Sequence, residues 1–372
     1  MRGVSIVALP ASDIGKFRGR LLTWFSARKR DLPWRRTKDP YRIWLSEIML
    51  QQTRVAAVVP YYESFLVRFP NLKALASARD EAVLSHWAGL GYYSRARNLL
   101  RAAQEIEARH AGQFPREYEA ALALPGIGRY TAAAVLSIAY DEPLAVLDGN
   151  VARVLARLGA VRGDPRAPAI WRKLDAVAQE LLERKVPGDW NQAMMELGAT
   201  VCTPKSPKCA ECPVAKWCRA RKFGIAGQLP DARKKRASVQ MSLAAAVLID
   251  PRGRTFLVRN PGGEGALFSR MWQFPALETI SDAASDLAKY LRAQFGVKVE
   301  VERSKKLQTA RHAVTFREIR LEPFLIRVKR LPKIDGTRTP FLGRFGHLPI
   351  SSATRKIASA AIAHFKDPLR SK

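Results

Sequence analysis

The chain has 372 residues and a hydrophobic content of 47%, which is enough for two domains that each bury a core of their own. Its 63 Lys and Arg residues against 33 Asp and Glu residues give a net charge of +30, of which +14 lies up to residue 225 and +16 after it. This distribution excludes a single basic tail and indicates a large polyanion, nucleic acid first, that contacts both halves. A basic proteome or non-specific adhesion is the alternative that charge alone leaves open.

The N-terminal stretch MRGVSIVALPASD has neither the hydrophobic region nor the cleavage site of a signal peptide. No apolar run approaches the ~20 residues that a membrane-spanning helix needs. All the cysteines lie within residues 202–218, so they do not link distant segments as the disulfides of a secreted protein do. We therefore expect a cytoplasmic, nucleoid-associated monomer that does not bind membranes.

In chain order, residues 1–225 carry a helical pattern that predicts an all-α domain, with Gly or Pro between the apolar runs. Residues 226–240, rich in Gly, Pro and charge, are typical of a linker. Short apolar runs and Gly-rich turns then predict an α+β domain over residues 241–372. The clearest helical runs are 118–123, 131–139, 151–158 and 170–183, and the second domain has predicted strands at 243–249, 255–259 and 317–328 and a helix at 281–295.

The stretch WLSEIMLQQT at residues 44–53 predicts a buried helix that contains an acid. Glu47 shares one helical face with Ile43 and Leu50, and the neighbouring faces are apolar as well. A buried carboxylate is costly unless it is paired, hydrogen-bonded or protonated. Glu47 is therefore a candidate functional residue.

The stretch LPGIGRYTA at residues 124–132 joins two predicted helices through a Gly-x-Gly turn. Gly126 and Gly128 allow the backbone to approach a phosphate closely, and the first amides of the following helix are donors. An ordinary helix–helix turn is the alternative. In a chain of this charge, with Arg129 beside the turn, the pattern favours a contact to a DNA phosphate.

The stretch LDGNVARV at residues 147–154 places polar side chains at the start of a predicted helix. Asp148 and Asn150 are residue types that cap a helix N-terminus. Taken by themselves, these residues favour the capping role over a catalytic one.

The cysteines have the spacing Cys-x6-Cys-x2-Cys-x5-Cys, which predicts a metal site. Zinc and a [4Fe–4S] cluster both accept four thiolates, so the chemistry of the donors leaves the metal open. Lys and Arg residues crowd the same loop, where they either solvate it or bind phosphates. The predicted ligands are Cys202, Cys209, Cys212 and Cys218, and the basic residues are Lys205, Lys208, Lys216, Arg219 and Arg221.

These motifs occur together and in one order, and in that order the chain resembles the iron–sulfur branch of the helix-hairpin-helix DNA glycosylases. Within that superfamily it resembles the MutY family of adenine glycosylases. The resemblance covers about residues 30–220, and it is the resemblance that selects a [4Fe–4S] cluster over zinc. The matching motifs are LPWR (32–35), SEIMLQQT (46–53), GLGYYSRARN (89–98), LPGIGRYTA (124–132), LDGNVARVL (147–155) and NQAMMELG (191–198).

The resemblance implies a catalytic role for the buried acid. In the family, the residue that matches Glu47 protonates N7 of an adenine flipped out of duplex DNA, and a raised pKa suits that task. The residue that matches Asp148 stabilises the oxacarbenium-like sugar, and Glu47 then activates the incoming water. Tyr130 and Asn150 match residues that position these groups.

The resemblance also implies which residues contact the bases. An aromatic wedge enters the stack and holds the strand open while the flipped adenine occupies a pocket. Trp34 by itself is equally typical of a hydrophobic core. The implied adenine-pocket residues are Leu32, Trp34, Arg35 and Gln192, and those beside the opposite base and the opened stack are Leu50, Gln52, Thr53 and the wedge Tyr92.

The function implied is that of a monofunctional adenine DNA glycosylase acting on duplex DNA with an A:8-oxoguanine or A:G mispair. Bifunctional relatives have a lysine that forms a Schiff base where this chain has Tyr130, so no strong lyase step is expected. The alternatives are a non-catalytic protein that binds DNA lesions and an adenine glycosylase with relaxed specificity for the opposite base. The presence of both Glu47 and Asp148 argues against the non-catalytic alternative.

The second domain resembles the MutT-like C-terminal domain of the family through LFSRMWQFP at residues 267–275. The helix at 281–295 has no glutamate to bind Mg²⁺, so we expect a binding domain without hydrolase activity, with a purely stabilising scaffold as the alternative. The family reads 8-oxoguanine with a Phe-Ser-His turn. Here Phe316 matches but Arg317 and Glu318 replace Ser-His, and His312 substitutes only in a different register.

Overall fold

A computed structural model describes residues 9–231, 237–260, 267–268, 270–280, 282–300, 304–314, 316–346 and 348–365. The chain forms two compact units. The first comprises Met1–Ser77 and Asn98–Lys234, and the second comprises Ala78–Arg97 and Lys235–Lys372. A short segment of the N-terminal half therefore clusters with the C-terminal half, a feature that the predicted division at 225 and 241 does not include.

The first unit is helical in its described part, as the repeat of apolar residues predicts. Numbered along the chain, the helices are α1 (Ala11–Arg28), α2 (Pro40–Leu50), α3 (Val55–Arg68), α4 (Leu72–Ala76), α5 (Asp80–Trp87), α6 (Ser94–Arg109), α7 (Tyr118–Ala123), α8 (Arg129–Tyr140), α9 (Gly149–Gly159), α10 (Pro168–Leu181), α11 (Pro187–Thr200) and α12 (Arg219–Lys222). Helix α5 and the first residues of α6 belong to the second unit.

Helix α8 lies at the centre of the first unit. Its residues from Thr131 to Ile138 are all buried, and α2 and α11 pack against it. The alanines of TAAAVLSI allow this close packing because they occupy little volume. At Gly188 of α11 an added Cβ would lie 2.7 Å from the carbonyl oxygen of Ser137, so the two helices meet there through backbone. Helices α2 and α11 thus both pack directly on α8, which matters for the site below.

The second unit contains two β-sheets. Strand β1 pairs in parallel with β7 along its whole length, from Val239 opposite Arg317 to Ile249 opposite Arg327. The strands β4, β5 and β6 pair antiparallel at the sides of this core pair, and β2 lies between β3 and β8 in a smaller sheet. The strands are β1 (Val239–Ile249), β2 (Leu257–Arg259), β3 (Trp272–Gln273), β4 (Ala276–Glu278), β5 (Lys305–Lys306), β6 (Ala310–Val314), β7 (Arg317–Arg327) and β8 (Thr337–Arg338).

Two helices cover the faces of the larger sheet, α13 (Ala283–Phe295) and α14 (Ser352–Phe365). Successive residues of a strand point to opposite faces. Ala246 and its neighbours two positions away pack with Leu287 of α13, while Val247 and its neighbours pack with Ile357 of α14. Both faces of β1 are therefore buried, which explains its continuous apolar run AAAVLI. The predicted α+β class is confirmed.

The predicted elements of this unit differ from the observed ones at their ends. Strand β1 begins at Val239, inside the predicted linker, and β2 begins at Leu257 because Thr255 forms only an isolated bridge with Ile249. Helix α13 begins after Asp282, whose carboxylate caps it by accepting from the amides of residues 284 and 285. Residues 232–236 of the predicted linker and residue 281 of the predicted helix lie outside the described residues. No described helix combines the length and the apolar composition needed to cross a bilayer.

Candidate active site

Glu47 lies on the buried face of α2, as its sequence environment predicts. Asp39 caps this helix by accepting from the amide of Tyr41, and Pro40 occupies the first helical position. The Glu47 residue is only 6% exposed, and its Oε2 accepts a hydrogen bond of 2.7 Å from the Tyr130 hydroxyl of α8. The packing of α2 against α8 thus creates the pairing of an acid and a phenol that lie 83 residues apart in the chain.

The environment of Glu47 keeps a proton available near neutral pH. Burial raises the pKa of its carboxyl to about 7; the hydrogen bond from Tyr130 opposes the rise, and the nearby charge of Asp148 adds to it. Burial raises the pKa of Tyr130 well above its usual value, and the charges of Glu47 and Asp148 add to the rise. Tyr130 therefore remains a donor, and Glu47 can act as an acid or as a base.

Asp148 is both a helix cap and a member of the same site. Its Oδ1 accepts from the amide of Val151 at 2.7 Å, which caps α9, and its Oδ2 accepts from Asn150 Nδ2 at 2.9 Å. Burial raises the pKa of Asp148, while these two donors and the charge of Arg153 favour the ionised form. The sequence motif alone favoured only the cap, and the structure adds the location in the pocket.

A cavity of about 460 Å³ lies at the junction of α2, α8, α9 and α11. It brings together every predicted catalytic and adenine-pocket residue, together with three of the residues assigned to the opposite base. The predicted residues that line it are Leu32, Trp34, Arg35, Glu47, Leu50, Gln52, Thr53, Tyr130, Asp148, Asn150 and Gln192. The residues that line it without having been predicted are Arg30, Ile43, Ser46, Gln51, Val55, Ile138, Met195, Glu196 and Ala199.

Glu196 is the most consequential of the residues that the sequence did not indicate. Its side chain is 1% exposed and pairs with two guanidinium groups, Arg30 Nη2 at 2.7 Å and Arg35 Nη2 at 2.8 Å. Burial by itself would raise the pKa of Glu196, but the hydrogen bonds from these two arginines lower it to about 2. Glu196 therefore stays ionised and holds Arg35 in one orientation at the wall of the cavity.

A chain of hydrogen bonds supports the Asp148 side of the pocket. Arg153 Nη2 donates to Asn150 Oδ1 at 2.9 Å and to the carbonyl oxygen of Gly198 at 2.8 Å, and its Nε donates to the carbonyl oxygen of Cys202. At Gly198 an added Cβ would lie 2.7 Å from the Cβ of Asn150. Asn150 is thus held in place by a donor on one side and by a close backbone on the other.

Asn191 fixes the segment that leads into Asp148. Its amide nitrogen donates to Ser137 Oγ and to the carbonyl oxygen of Leu144, both at 2.8 Å, and its oxygen accepts from the amide of Val146 at 3.1 Å. The residue is 2% exposed, so these bonds satisfy a buried amide. The motif NQAMMELG contains this residue, but its sequence gives no signal for a partner about fifty residues away.

A buried arginine of α9 binds the cysteine loop by hydrogen bonds. Arg157 of α9 is 1% exposed and donates to carbonyl oxygens of the loop, including Thr203 at 2.7 Å and Pro204 at 2.9 Å. It also donates to the Cys202 sulfur at 3.2 Å. Burial raises the pKa of the Cys212 thiol, and the charges of the other cysteines add to the rise, so the four sulfurs are electrostatic neighbours.

The Gly-x-Gly turn has the backbone shape that the sequence predicts. Gly126 has φ of 77°, and an added Cβ would lie 2.7 Å from the Cβ of Asn98, so only glycine fits. Gly128 precedes the first turn of α8 and Arg129 begins the helix, both exposed. The first amides of α8 lack a side-chain cap at this end. These donors are compatible with an anion.

The remaining predicted residues lie in the second unit. Tyr92 is 39% exposed and has φ of 48°, an uncommon conformation for a residue with a side chain. Of the three residues aligned with the Phe-Ser-His turn, only Phe316 lies in the turn between β6 and β7. Arg317 and Glu318 are the first residues of β7, and Glu318 Oε2 accepts from Gln240 Nε2 at 2.8 Å. Residues 269 and 315 of the two quoted motifs lie outside the described residues.

Two family models match the chain. The model for the HhH-GPD superfamily base excision DNA repair protein matches residues 45–180, and the model for the iron-sulfur binding domain of endonuclease III matches residues 202–218. Among solved structures, a thermostable thymine-DNA glycosylase is 30% identical with a TM-score of 0.52, over 57% of this chain and 98% of that chain. A trapped endonuclease III–DNA covalent intermediate shares the fold, with a TM-score of 0.50 at 21% identity over 58% of this chain and 99% of that one. The first unit is therefore a helix-hairpin-helix base excision repair fold.

Curated relatives narrow this class. Adenine DNA glycosylase from Homo sapiens is 48% identical over 219 residues, which is 56% of this chain and 40% of that protein. Adenine DNA glycosylase from Buchnera aphidicola subsp. Schizaphis graminum is 32% identical over 308 residues, 82% of this chain and 86% of that protein. The chain belongs to the adenine DNA glycosylase family. Its matches cover less than half the length of the human and mouse relatives, 40% and 44%.

The cysteine loop is the part matched by the iron–sulfur model, which confirms the predicted [4Fe–4S] cluster over zinc. The donor set fits this group because it consists of four thiols on one loop. In the described part of the chain, no three His, Cys, Asp or Glu side chains lie close enough to share one metal ion. In a [4Fe–4S] cluster each thiolate binds a different iron, so four cysteines need not meet at one point.

Proposed function

We propose that the protein is a monofunctional adenine DNA glycosylase that hydrolyses the N-glycosidic bond of adenine mispaired with 8-oxoguanine or guanine in duplex DNA. The observation that carries the proposal is the buried Glu47 carboxyl, with a pKa of about 7 and a hydrogen bond from Tyr130, in one cavity with Asp148. Family membership supports the same activity. The site of action is duplex DNA, in the nucleoid of the cytoplasm.

Glu47 in its acid form donates a proton to N7 of the flipped adenine. Protonation converts the base into a neutral leaving group, and the bond to C1′ breaks with positive charge on the sugar. The Asp148 carboxylate, held by the Val151 amide and by Asn150, stabilises that charge. The Glu47 carboxylate then takes a proton from the water that attacks C1′, which restores the acid.

Glu196 and Gln192 contribute to the adenine pocket in different ways. Glu196 fixes the Arg35 guanidinium, whose charge also opposes the rise in the pKa of Glu47. Gln192 lines the cavity and donates to the carbonyl oxygen of Gly188 at 3.3 Å, which leaves its amide oxygen as an acceptor toward a base. The Arg35 donors and the Gln192 acceptor suit the mixed edge of a purine.

Tyr130 supports the monofunctional character of the proposed enzyme. A lyase needs an amine that attacks C1′ and forms a Schiff base. Tyr130 offers a hydroxyl, and its strongly raised pKa keeps that hydroxyl protonated. Treatment with borohydride during the reaction should therefore trap no protein–DNA adduct.

The opposite base is the part of the proposal with two versions. Gln52 has φ of 57° in the turn after α2 and lines the cavity with Leu50 and Thr53, and the proposal assigns these three residues to the partner of adenine. On the second unit Glu318 is engaged by Gln240, and Arg317 lies over the Phe316 ring at 5.3 Å. Neither reproduces the hydroxyl and imidazole of the Ser-His pair. This observation favours the second version, an adenine glycosylase with relaxed specificity for the opposite base.

Two basic surfaces of the first unit would bind DNA phosphates. The exposed basic residues of the cysteine loop would be held in fixed positions by a [4Fe–4S] cluster on Cys202, Cys209, Cys212 and Cys218, whose role when bound is to rigidify the loop. Arg129, Gly126 and Gly128 supply a second phosphate contact through the amides at the start of α8. The affinity for duplex DNA should fall steeply with salt. The basic residues of the loop are Lys205, Lys208, Lys216, Arg219 and Arg221.

The decisive experiment is single-turnover release of adenine from two duplexes, one with A opposite 8-oxoguanine and one with A opposite guanine. Glu47→Gln and Asp148→Asn serve as controls, since each keeps the size of the side chain and removes its acid. A strong preference for the first duplex supports the 8-oxoguanine version, and comparable rates support the relaxed version. Binding to both duplexes without release of adenine by the unaltered protein supports the non-catalytic alternative and refutes the proposal.

A further inference from the structure

The segment Ala78–Arg97 belongs to the second unit although it precedes the sheets by about 140 residues of chain. It contains α5 and the loop that carries Tyr92. A segment embedded in a run of helices would be expected to pack with those helices, so its grouping with the β-sheets requires specific contacts. Those contacts lie at the N-terminal end of α5.

Two acids in the first turn of α5 face side chains of the smaller sheet. Glu81 Oε1 accepts a hydrogen bond of 2.8 Å from the indole Nε1 of Trp272 on β3. Asp80 Oδ2 lies 3.4 Å from Arg259 Nη2 and 3.6 Å from Arg270 Nη1. Trp272 itself is 2% exposed, so its N–H has given up water and depends on this acceptor.

The other end of α5 holds the loop of Tyr92. Trp87 Nε1 donates to the carbonyl oxygen of Gly91 at 3.1 Å, and Arg95 Nη2 donates to the same oxygen at 3.2 Å. The Arg95 guanidinium also lies 5.4 Å from the ring centres of both Trp87 and Tyr92. The exposed Tyr92, with its left-handed backbone, thus lies in a loop that Trp87 of α5 and Arg95 of α6 hold together.

We propose that Glu81 and Trp272 are positioning residues for Tyr92, so that the smaller sheet sets the orientation in which the Tyr92 side chain enters the DNA stack. The connection runs from Trp272 through Glu81 and the eight residues of α5 to Trp87 and Gly91. An α-helix of this length is about 12 Å long and moves as one rigid element. A displacement of its first turn therefore displaces its last turn as well. The inference rests on the proposed function, in which Tyr92 is the wedge.

The ordinary explanation for an acid in the first turn of a helix is its favourable interaction with the helix dipole. That explanation accounts for an acid at this position but not for its hydrogen bond with the Trp272 indole. A solvent-exposed Glu81 side chain would interact with the helix dipole equally well. The two explanations also differ in their consequences. A dipole effect alters the stability of α5, whereas a positioning role alters what Tyr92 does in DNA.

The test measures insertion of Tyr92 in the full-length holoprotein bound at saturation to a duplex with a non-hydrolysable 2′-fluoro-adenosine opposite 8-oxoguanine. A 2-aminopurine next to the 8-oxoguanine brightens when the stack is opened. The difference between the unaltered protein and Tyr92→Ala defines the wedge signal. Trp272→Phe, which keeps a buried ring but removes the N–H, and Glu81→Ala should each shift the insertion equilibrium by roughly three- to tenfold, the net effect of one ordinary hydrogen bond.

Controls separate positioning from stability. Glu81→Gln keeps an acceptor for the indole and should restore most of the signal, and the double variant Trp272→Phe with Glu81→Ala should lose no more than either single variant. Asp250→Asn weakens a buried ion pair with Arg254 elsewhere in the same unit and should lower stability without changing the wedge signal. Hydrogen exchange in residues 88–93 should rise in Trp272→Phe and stay unchanged in Asp250→Asn.

The outcomes are distinguishable. A normal wedge signal in both Trp272→Phe and Glu81→Ala overturns the inference, and so does 2-aminopurine fluorescence that is equal in Tyr92→Ala and the unaltered protein. If the unaltered protein opens the stack but releases no adenine from the hydrolysable duplex, the proposed enzymatic function fails while the positioning role stands. If Asp250→Asn reduces the signal as much as Trp272→Phe does, the contact is only structural.

Discussion

Replacement of Glu47 by Gln should stabilise the protein, and the gain should grow with pH. The Glu47 carboxyl has a pKa of about 7 in the folded chain against its usual value of 4.5, so the folded state retains a proton that the unfolded state loses. Below pH 4.5 both states are protonated and burial of the carboxyl carries no ionisation penalty. As the pH rises to 7 and above, the penalty grows to about 3 kcal/mol, because a difference of one pKa unit corresponds to about 1.4 kcal/mol.

The glutamine side chain has no charge to lose and still accepts from Tyr130. The free-energy advantage of Glu47→Gln should therefore rise from about 1 kcal/mol at pH 5.5 to about 3 kcal/mol at pH 8.5. For a unit of roughly 200 residues, such as the first unit, the change corresponds to a difference in Tm that widens by about 4–8 °C over that range. Thermal or denaturant unfolding of the two holoproteins, side by side at several pH values, measures it.

Glu196→Gln provides a matched control of opposite sign. Glu196 has a pKa of about 2 because Arg30 and Arg35 stabilise its charge, so this carboxyl is ionised in both states between pH 5.5 and 8.5. Its loss should destabilise by about 3–5 kcal/mol, as for a broken buried ion pair, and the penalty should not vary in that range. An advantage of Glu47→Gln that stays constant with pH would refute the reasoning, because it would mean that Glu47 does not carry the extra proton.

Three further predictions concern the pocket and the cluster loop. Tyr130→Phe removes a hydrogen bond that lowers the pKa of Glu47, so the rate of single-turnover adenine release should decline at a higher pH than in the unaltered protein. A decline at the same pH would contradict the assignment of Glu47 as the acid. Gly198→Ala places a Cβ against Asn150, so it should slow adenine release and lower the free energy of unfolding by about 1–3 kcal/mol. Single-turnover kinetics measures the first effect and thermal melting the second. Arg157→Met leaves several loop carbonyl groups without their donor, so iron content and visible absorbance should fall during dialysis; full retention would show that the cysteines alone hold the loop.

Local sequence patterns predict most of the helices and the metal loop of the first unit. The apolar repeat around Glu47 indicated a buried helix and therefore an acid in need of an explanation, and the cysteine spacing indicated a metal loop. The family resemblance then gave Asp148 a role beyond capping, and the cavity places it beside Glu47. These features are readable because each depends on residues within one or two turns of a helix.

Long-range pairing is what the sequence does not carry. Glu196 in the motif NQAMMELG reads as an ordinary charge on a helix, and its two arginine partners lie 166 and 161 residues away. Glu81 likewise reads as a favourable acid at a helix start, while its partner Trp272 belongs to a motif 191 residues later. A local pattern records that an acid is present but not which base or indole reaches it after folding. The resemblance of the second unit to MutT domains stays a prediction.

Asp148 both caps α9 and lines the cavity, so its substitutions have two separable effects. Asparagine, serine and threonine cap a helix about as well as aspartate does, but none of them carries a charge. Substitutions of this kind would leave α9 capped and, under the proposed function, produce a folded protein that binds DNA but does not release adenine. Variants at this position should therefore divide into cap-competent forms, which keep the stability of the unaltered protein, and cap-deficient forms, which lose about 0.5–2 kcal/mol of it.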